Sequence, residues 1–161
     1  MLSDHPILRG DGTWPFSAFV DGNDIVVSDV TATCFGGAND PQDNGETASG
    51  IRTKNSPTLK ACALPMIYTG TNAALIKALG GSPIPKLPWK TQVEIMALGR
   101  RLIVPVIDLG PAKKTGNAID LTIAAARFFK GGASATNFTL RCSYRILGGA
   151  NYLTEKGSVL A

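Results

Sequence analysis

The sequence predicts a single domain of mostly β structure, and three observations lead to that class. The chain has 161 residues, of which 44% are hydrophobic, so it can form one sizeable core but not two. Its 18 glycines and 10 prolines divide the chain into short segments, as is typical of strand-rich proteins. The segments DIVVSDVTATCF (24–35) and NFTLRCSYRIL (137–147) alternate β-branched or apolar residues with polar ones, which indicates strands.

Two further strands and two helices are predicted from turn and capping signals. TQVEIMALGRRLIVPVIDLG (91–110) contains two apolar runs about a hairpin-like LGRR, and the second strand delivers Asp108 at its end. TNAALIKALG (71–80) predicts a short helix that ends on glycine. DLTIAAARFFKGG (120–132) predicts a second helix, capped by Asp120 or Thr122.

Two segments lack clear periodicity. Residues 1–24 contain Trp14 and Phe16 and are expected to wrap the surface of the domain. GGANDPQDNGETASGI (36–51) consists almost entirely of turn formers, which predicts a long exposed loop. Loops of that length in compact domains usually carry function or lack order.

The charge of the chain favours acidic polymers as partners. The formal net charge is +4, which suits nucleic acid, anionic membrane surfaces or acidic wall glycans. The basic pairs Arg100–Arg101 and Lys113–Lys114 are not part of a dense, aromatic-interleaved cluster, so nucleic acid is not predicted as a partner.

The sequence shows neither the pattern of a membrane span nor that of a secretory signal. The chain has no apolar run of the roughly 20 residues that a membrane span needs. The start, MLSDHPILRGDGTWPF, lacks the basic and apolar regions of a secretory signal. We therefore expect a protein whose signal has been removed, or one delivered by another route such as lysis, a phage or an injection device.

The cysteines and the histidine predict neither a metal site nor a cofactor. Cys34, Cys62 and Cys142 are scattered without CxxC spacing, and the single histidine is His5, in the N-terminal segment. A zinc site or a Cys/His nucleophile needs closer grouping. Two alternatives remain open for the cysteines: one disulfide with an odd thiol, or three small buried apolar residues.

Four short motifs occur in an order that resembles a known family. They are TASG (47–50), ALP (63–65), DLGP (108–111) and IDLT (119–122), the last running into an alanine-rich helix. This series resembles the rare lipoprotein A family, which carries TASG, a TLPLG-like turn, DRGP and IDLS. The resemblance implies a six-stranded double-psi β-barrel with short peripheral helices, a fold shared with expansins.

The resemblance also implies a domain division. The barrel would cover residues 28–147 and contain an insertion near 67–90. Residues 1–27 would form an N-terminal extension, and residues 148–161 a C-terminal tail.

The function that the resemblance implies is cleavage of peptidoglycan by a lytic transglycosylase, which breaks the MurNAc–GlcNAc bond and forms a 1,6-anhydro product. Asp108 matches the aspartate of DRGP and is the candidate general acid. Because the C6 hydroxyl of the substrate attacks the anomeric carbon, one acid that then serves as base suffices. Asp120 matches the aspartate of IDLS and would tune Asp108 or hold the sugar, or else it would only cap the helix.

Two positions depart from the family pattern. Ile51 stands where the catalytic members have a glutamate after TASG, and Leu109 stands where they have the arginine of DRGP. Glu46, just before TASG, or Asp43 would then supply a second carboxylate from the same loop.

Four residues are predicted to bind the substrate. Thr47 and Ser49 would hydrogen-bond sugar hydroxyls, or would merely close their turn. Tyr68 and Trp89 would stack on sugar rings, with simple packing as the alternative.

Two other functions follow from the same residues. The loss of the family's glutamate at Ile51 suits a non-catalytic, expansin-like protein that binds wall polysaccharide. A structural component of a phage or secretion apparatus is the third hypothesis. All three place the protein at the cell envelope, outside the cell or on such a device.

Overall fold

The structure, a computed structural model, describes residues 5–35, 47–53, 58–133 and 138–153. Strands dominate it, and two short α-helices accompany them. The strands are β1 (Ile7–Leu8), β2 (Ala18–Asp21), β3 (Asp24–Phe35), β4 (Cys62–Leu64), β5 (Gln92–Ala97), β6 (Arg100–Leu109), β7 (Ile119–Thr122) and β8 (Leu140–Ile146). The helices are α1 (Ala73–Leu79) and α2 (Ile123–Phe129), and short 3-10 turns cover Lys113–Thr115 and Gly149–Tyr152.

Six of these strands close into a barrel. They are hydrogen-bonded in the order β3, β7, β4, β6, β5 and β8, and β8 pairs again with β3. The β3–β7 and β4–β6 pairs are parallel, and the other pairs are antiparallel. The predicted mostly β class and the six-stranded double-psi barrel with two short peripheral helices are confirmed.

The interior of the barrel is filled by the inward-facing residues of the alternating strands. Tyr144 on β8 is fully buried there, and its hydroxyl donates to the carbonyl of Ala118 at 2.9 Å. Burial raises the pKa of this phenol well above its ordinary value, because the charged form would be desolvated. Around it lie aliphatic side chains that are at most 1% exposed, among them Ile25, Val27, Val93, Ile95, Val104 and Val106.

The N-terminal segment extends the sheet. β1 pairs with β2, and β2 pairs with the first half of β3, both antiparallel. Arg145 on β8 clamps this addition, since its guanidinium lies 2.8 Å from Asp21 and 3.0 Å from Asp24. The segment predicted to wrap the domain therefore lengthens one side of the barrel wall.

Both helices begin at side-chain caps. Asn72 precedes α1, and its side chain accepts from the backbone N–H of Ala74 and Leu75. Thr122 precedes α2 and accepts from the N–H of Ala125. Asp120 lies inside β7, so the alternative in which Asp120 caps α2 is wrong, and Thr122 is the cap.

The predicted hairpin of β5 and β6 is present. Ala97 pairs with Arg100, which leaves a two-residue loop of Leu98 and Gly99 with φ angles of 52° and 73°. Positive φ at both loop residues defines a turn whose twist matches that of the strands. Glycine suits this conformation, whereas leucine is strained in it.

The three cysteines are not joined in a disulfide, and all are buried. Cys34 on β3 and Cys62 on β4 are both paired with Leu121 on the intervening β7. Two strand spacings separate their Cα atoms by roughly 10 Å, beyond the reach of a disulfide. Within the described ranges, no helix is long and apolar enough to cross a membrane.

Candidate functional site

A row of four residues crosses four neighbouring strands on the outer face of the barrel. Thr33 on β3 is paired with Asp120 on β7, Asp120 is paired with Ala63 on β4, and Ala63 is paired with Asp108 on β6. Residues that are directly paired across strands share a face of the sheet. We call these four residues the aspartate row.

The neighbours of the aspartate row along each strand face the interior. Cys34, Leu121, Cys62 and Val106 are buried, whereas Thr33, Asp108 and Asp120 are half-buried. A bulge at Ile107, which shifts the register of β6 against β4, brings Asp108 rather than Ile107 opposite Ala63. Bulges of this kind re-aim side chains beside functional sites.

Asp108 is held by backbone donors. Its Oδ1 accepts from the N–H of Ala48 at 3.0 Å and from that of Leu109 at 2.9 Å. The neighbouring Ser49 donates its backbone N–H to the carbonyl of Ile107 at 3.2 Å. The TASG turn is therefore fixed against the end of β6, and it orients the carboxylate of Asp108.

Asp120 is held from two sides. The hydroxyl of Thr33 donates to its Oδ1. Its Oδ2 lies 3.9 Å from the position that a Cβ would take on Gly110, in the turn that immediately follows Asp108. Gly110 has a φ of 123°, a conformation that favours glycine, and its N–H donates to the carbonyl of Leu64 on β4. The DLGP turn thus lies close to both aspartates.

A single small residue separates the two aspartates across the sheet. Their Cα atoms are two strand spacings apart, roughly 10 Å, with Ala63 as the intervening residue. Ala63 is 2% exposed and ends at a methyl group, so a small buried residue lies between the two aspartates.

The charge of Asp120 also reaches the barrel interior. Burial raises the pKa of the Cys62 thiol well above its ordinary value, and the negative charge of Asp120 raises it further. The carboxylate of Asp120 on the outer face therefore lies close enough to β4 to interact electrostatically with Cys62 on the inner face.

The side chains of the TASG turn close the turn on itself. The Thr47 hydroxyl donates to the carbonyl of Ile51 at 2.6 Å, and the Thr47 and Ser49 hydroxyl oxygens are 2.9 Å apart. Ser49 Oγ also accepts from the N–H of Ile51 at 3.3 Å. These contacts correspond to the turn-closing alternative for Thr47 and Ser49. Sugar binding by the two hydroxyls stays a prediction.

The two predicted aromatic residues differ in exposure. Tyr68 is half-buried, and its hydroxyl accepts from the N–H of Asn72 at 3.1 Å, so it braces the start of α1. Trp89 is 40% exposed. The next residue, Lys90, donates its N–H to the carbonyl of Val106 at 2.8 Å. Val106 lies on β6, two residues before Asp108, so the backbone next to Trp89 runs beside β6.

Some predicted features cannot be placed. Glu46, Asp43 and residues 36–46 of the long loop lie outside the described residues. His5 lies at the N-terminal strands, where its ring stacks edge-on against Phe19. Among the residues that the structure describes, no three His, Cys, Asp or Glu side chains are grouped closely enough to hold a metal ion.

Two members of the aspartate row were not predicted from sequence. Thr33 was part of a predicted strand, but only the parallel pairing of β3 with β7 brings it to Asp120. Ala63 belonged to the ALP motif, whose three residues gave no signal of a strand between two aspartates. The one available signal for Ala63 was the place of ALP in a series of motifs that resembles a known family.

The comparison with known proteins gives a structural likeness. No protein-family model matches the chain, and no curated protein matches it. The solved structure of Streptomyces papain inhibitor is similar, with a TM-score of 0.44 and 20% sequence identity over 78% of this chain and 96% of that chain. A likeness at this level does not bear on function.

Proposed function

We propose that this protein cleaves a cell-wall glycan at the aspartate row, with Asp108 as general acid and base. The observation that carries the proposal is the placement of Asp108 and Asp120 on either side of Ala63. The resemblance of TASG, DLGP and IDLT to rare lipoprotein A motifs supports peptidoglycan as the proposed substrate class. A net charge of +4 favours an acidic polymer of this kind.

The hydrogen bonds of Asp108 indicate which oxygen carries the proton. Oδ1 accepts from two backbone N–H groups, so a proton on Asp108 belongs on Oδ2. In the proposed reaction, Oδ2 gives this proton to the glycosidic oxygen as the bond to the anomeric carbon breaks. The C6 hydroxyl of the same sugar then bonds to that carbon and returns its proton to Asp108, which yields a 1,6-anhydro sugar.

Asp120 has a supporting role in this proposal. Its Oδ1 is engaged by the hydroxyl of Thr33, so this carboxylate is fixed in position. A fixed negative charge on the other side of Ala63 from Asp108 stabilises positive charge that develops on the sugar ring in the transition state. Trp89, exposed beside β6, would contribute stacking for a neighbouring sugar.

A second candidate function is binding of wall polysaccharide without cleavage. Ile51 stands at the position of the family's second carboxylate, and its backbone is bonded to Thr47 and Ser49. An isoleucine transfers no proton. A single well-held aspartate with an exposed tryptophan suffices for binding a glycan, as in expansin-like proteins.

Digestion of purified peptidoglycan, followed by mass spectrometry for anhydro sugars, separates the two functions. The first proposal predicts anhydro products that increase with time and enzyme concentration. Binding alone predicts pull-down of the protein with insoluble peptidoglycan and no products. Absence of both products and pull-down would overturn the two functions together.

A further inference from the structure

A cavity lies in the N-terminal segment, and none of its lining residues belongs to the aspartate row. Its volume is about 360 Å³, and it is lined by Arg9, Gly12, Trp14, Pro15, Phe16 and Ser17. This volume is at the lower end of the range for small-ligand sites. We call it the N-terminal cavity.

The walls of the N-terminal cavity are held rigidly. The indole Nε1 of Trp14 donates to the carbonyl of Gly80 at 2.9 Å, and the Trp14 ring packs edge-on against Phe16 with centroids 5.9 Å apart. The backbone is also tied, since Asp11 donates its N–H to the carbonyl of Gly81 at 2.8 Å. Trp14 is 7% exposed and packs against the half-buried Phe16. Phe16 supplies the apolar wall of the cavity.

Arg9 is the unusual residue of this cavity. Within the described ranges, its guanidinium has no carboxylate partner and no hydrogen bond. Every other described arginine has a partner, namely Arg52, Arg100, Arg101, Arg127, Arg141 and Arg145. An exposed guanidinium with unused donors beside an aromatic wall is the chemistry that recognises a carboxylate on a ring.

A second cation lies close to the same loop. Lys113 donates its Nζ to the hydroxyl of Thr13 at 3.0 Å. The nearby carboxylate of Asp11 is taken up locally, because its Oδ1 accepts from both the N–H and the hydroxyl of Thr13. These hydrogen bonds, and the charge of Lys113, lower the pKa of Asp11. The one acidic group of the loop is therefore held by Thr13, and no carboxylate among the described residues pairs with Arg9.

Lys113 also links the N-terminal cavity to the aspartate row. It follows Asp108 by five residues, which span at most about 17 Å of backbone. A polymer of several sugar rings is longer than this span, so its length permits contact with both the aspartate row and the loop that holds Arg9 and Phe16.

We propose that the N-terminal cavity is a subsite for a sugar ring that carries a carboxylate. Arg9 would bind the carboxylate, and Phe16 would contact the ring. The identification of this sugar as part of the same wall glycan rests on the proposed function. The cavity would select a sugar of the polymer whose lactyl carboxylate carries no peptide, and would thereby fix which glycosidic bond reaches Asp108.

N-acetylmuramic acid and N-acetylglucosamine are a matched pair of probes, because they differ by one carboxylate-bearing lactyl group. Titration of the isotope-labelled full chain with each sugar is followed by NMR at the amides of Phe16 and Ser17. N-acetylmuramic acid is expected to shift these signals at lower concentration than N-acetylglucosamine. Arg9→Gln is expected to weaken binding of the acidic sugar by about ten- to hundredfold, and Ser17→Trp should block both sugars by filling the cavity.

Arg101→Gln is the control, since Arg101 is an exposed arginine on β6 with its own partner, Glu94; it should leave the preference unchanged. Equal binding of the two sugars, no shift with either, or a preference that survives Arg9→Gln would overturn the subsite.

Peptidoglycan digestion by the same proteins separates this inference from the proposed function. A preference that depends on Arg9 in a protein that releases no anhydro products would refute cleavage and retain the subsite. Cleavage by a protein whose sugar preference does not depend on Arg9 would do the reverse.

Discussion

Asp108 and Asp120 are both direct cross-strand neighbours of Ala63, one on β6 and the other on β7. The two aspartates are 12 residues apart in the chain, yet they face the same side of the barrel across one small residue. This arrangement depends on β4 lying between β6 and β7 in the sheet. The four strands therefore assemble the site, and the TASG and DLGP turns orient it.

Thr122 is predicted to matter more for stability than the other helix cap. It is 4% exposed; its hydroxyl caps α2, accepts from the N–H of Ala61 at 3.0 Å and donates to the carbonyl of Leu59 at 2.6 Å. Thr122→Ala should lower the free energy of unfolding by about 2 to 4 kcal/mol, because it removes the cap and leaves buried backbone groups unpaired. Asn72→Ala, at an exposed cap, should lower it by about 1 kcal/mol. Urea denaturation compares the two, and equal losses would contradict the prediction.

The hairpin loop offers a stabilising substitution. Leu98 is 63% exposed and has a φ of 52°. Leu98→Asn should raise the free energy of unfolding by about 1 kcal/mol, because asparagine followed by glycine suits this turn. Leu98→Ala, which retains the strain, is the control and should not stabilise the protein. An Asn variant that is no more stable than the Ala variant would show that Leu98 is not strained in solution.

The thiols are predicted to be inert in the folded protein. Burial raises the pKa of Cys142 to about 12 and that of Cys62 well above its ordinary value, and all three cysteines are buried. A thiol reagent near neutral pH should therefore modify none of them rapidly in the native state and all three after denaturation. A rapidly reacting native thiol, or an intact mass that is lower by two hydrogens, would contradict this description.

Acid should weaken the attachment of the N-terminal strands. The hydrogen bond from Arg145 holds the pKa of Asp21 below its ordinary value of 3.8, so the folded state binds fewer protons than the unfolded state in acid. The stabilisation is complete above the ordinary value and is lost as the pH falls through the lowered one. The difference in unfolding free energy between wild type and Asp21→Asn should therefore disappear in acid. A difference that grows as the pH falls would refute this assignment.

The longer elements of the fold could be predicted from the sequence because their patterns are local. β8 alternates apolar and polar residues throughout, and β3 does so from Val30 to Cys34. β5 and β6 contain apolar runs on either side of a turn, and Gly80 marks the end of α1. Turn chemistry placed the β5–β6 hairpin. These signals require no knowledge of the rest of the chain.

β4 and β7 were missed because they are short and buried between neighbours. They contain three and four residues, too few for a visible period. The residues from Asp120 to Thr122 contain two capping types, and only the structure shows that Asp120 belongs to the strand and Thr122 to the helix. The partnership of Thr33 with Asp120 depends on strand order, which short-range patterns do not encode.

The same distinction applies to the candidate site. Asp108 and Asp120 were identified from motifs, but their common neighbour Ala63 was not. Arg9, Trp14 and Phe16 gave no periodic pattern, and their cavity forms only because Trp14 reaches Gly80, 66 residues away. Contacts of that sequence separation are set by the tertiary fold.

The most direct test of the central claim is the yield of anhydro sugars from purified peptidoglycan, compared between wild type and Asp108→Asn. Asparagine keeps the oxygen that accepts from Ala48 and Leu109 but carries no transferable proton. The yield should therefore fall by about 10²- to 10⁴-fold, while folding and pull-down on peptidoglycan are retained. Asp29→Asn, which removes a carboxylate that is 78% exposed and outside the aspartate row, should leave the yield unchanged. Undiminished cleavage by Asp108→Asn would contradict the role of Asp108, and a wild-type protein that releases no anhydro sugar would contradict cleavage itself.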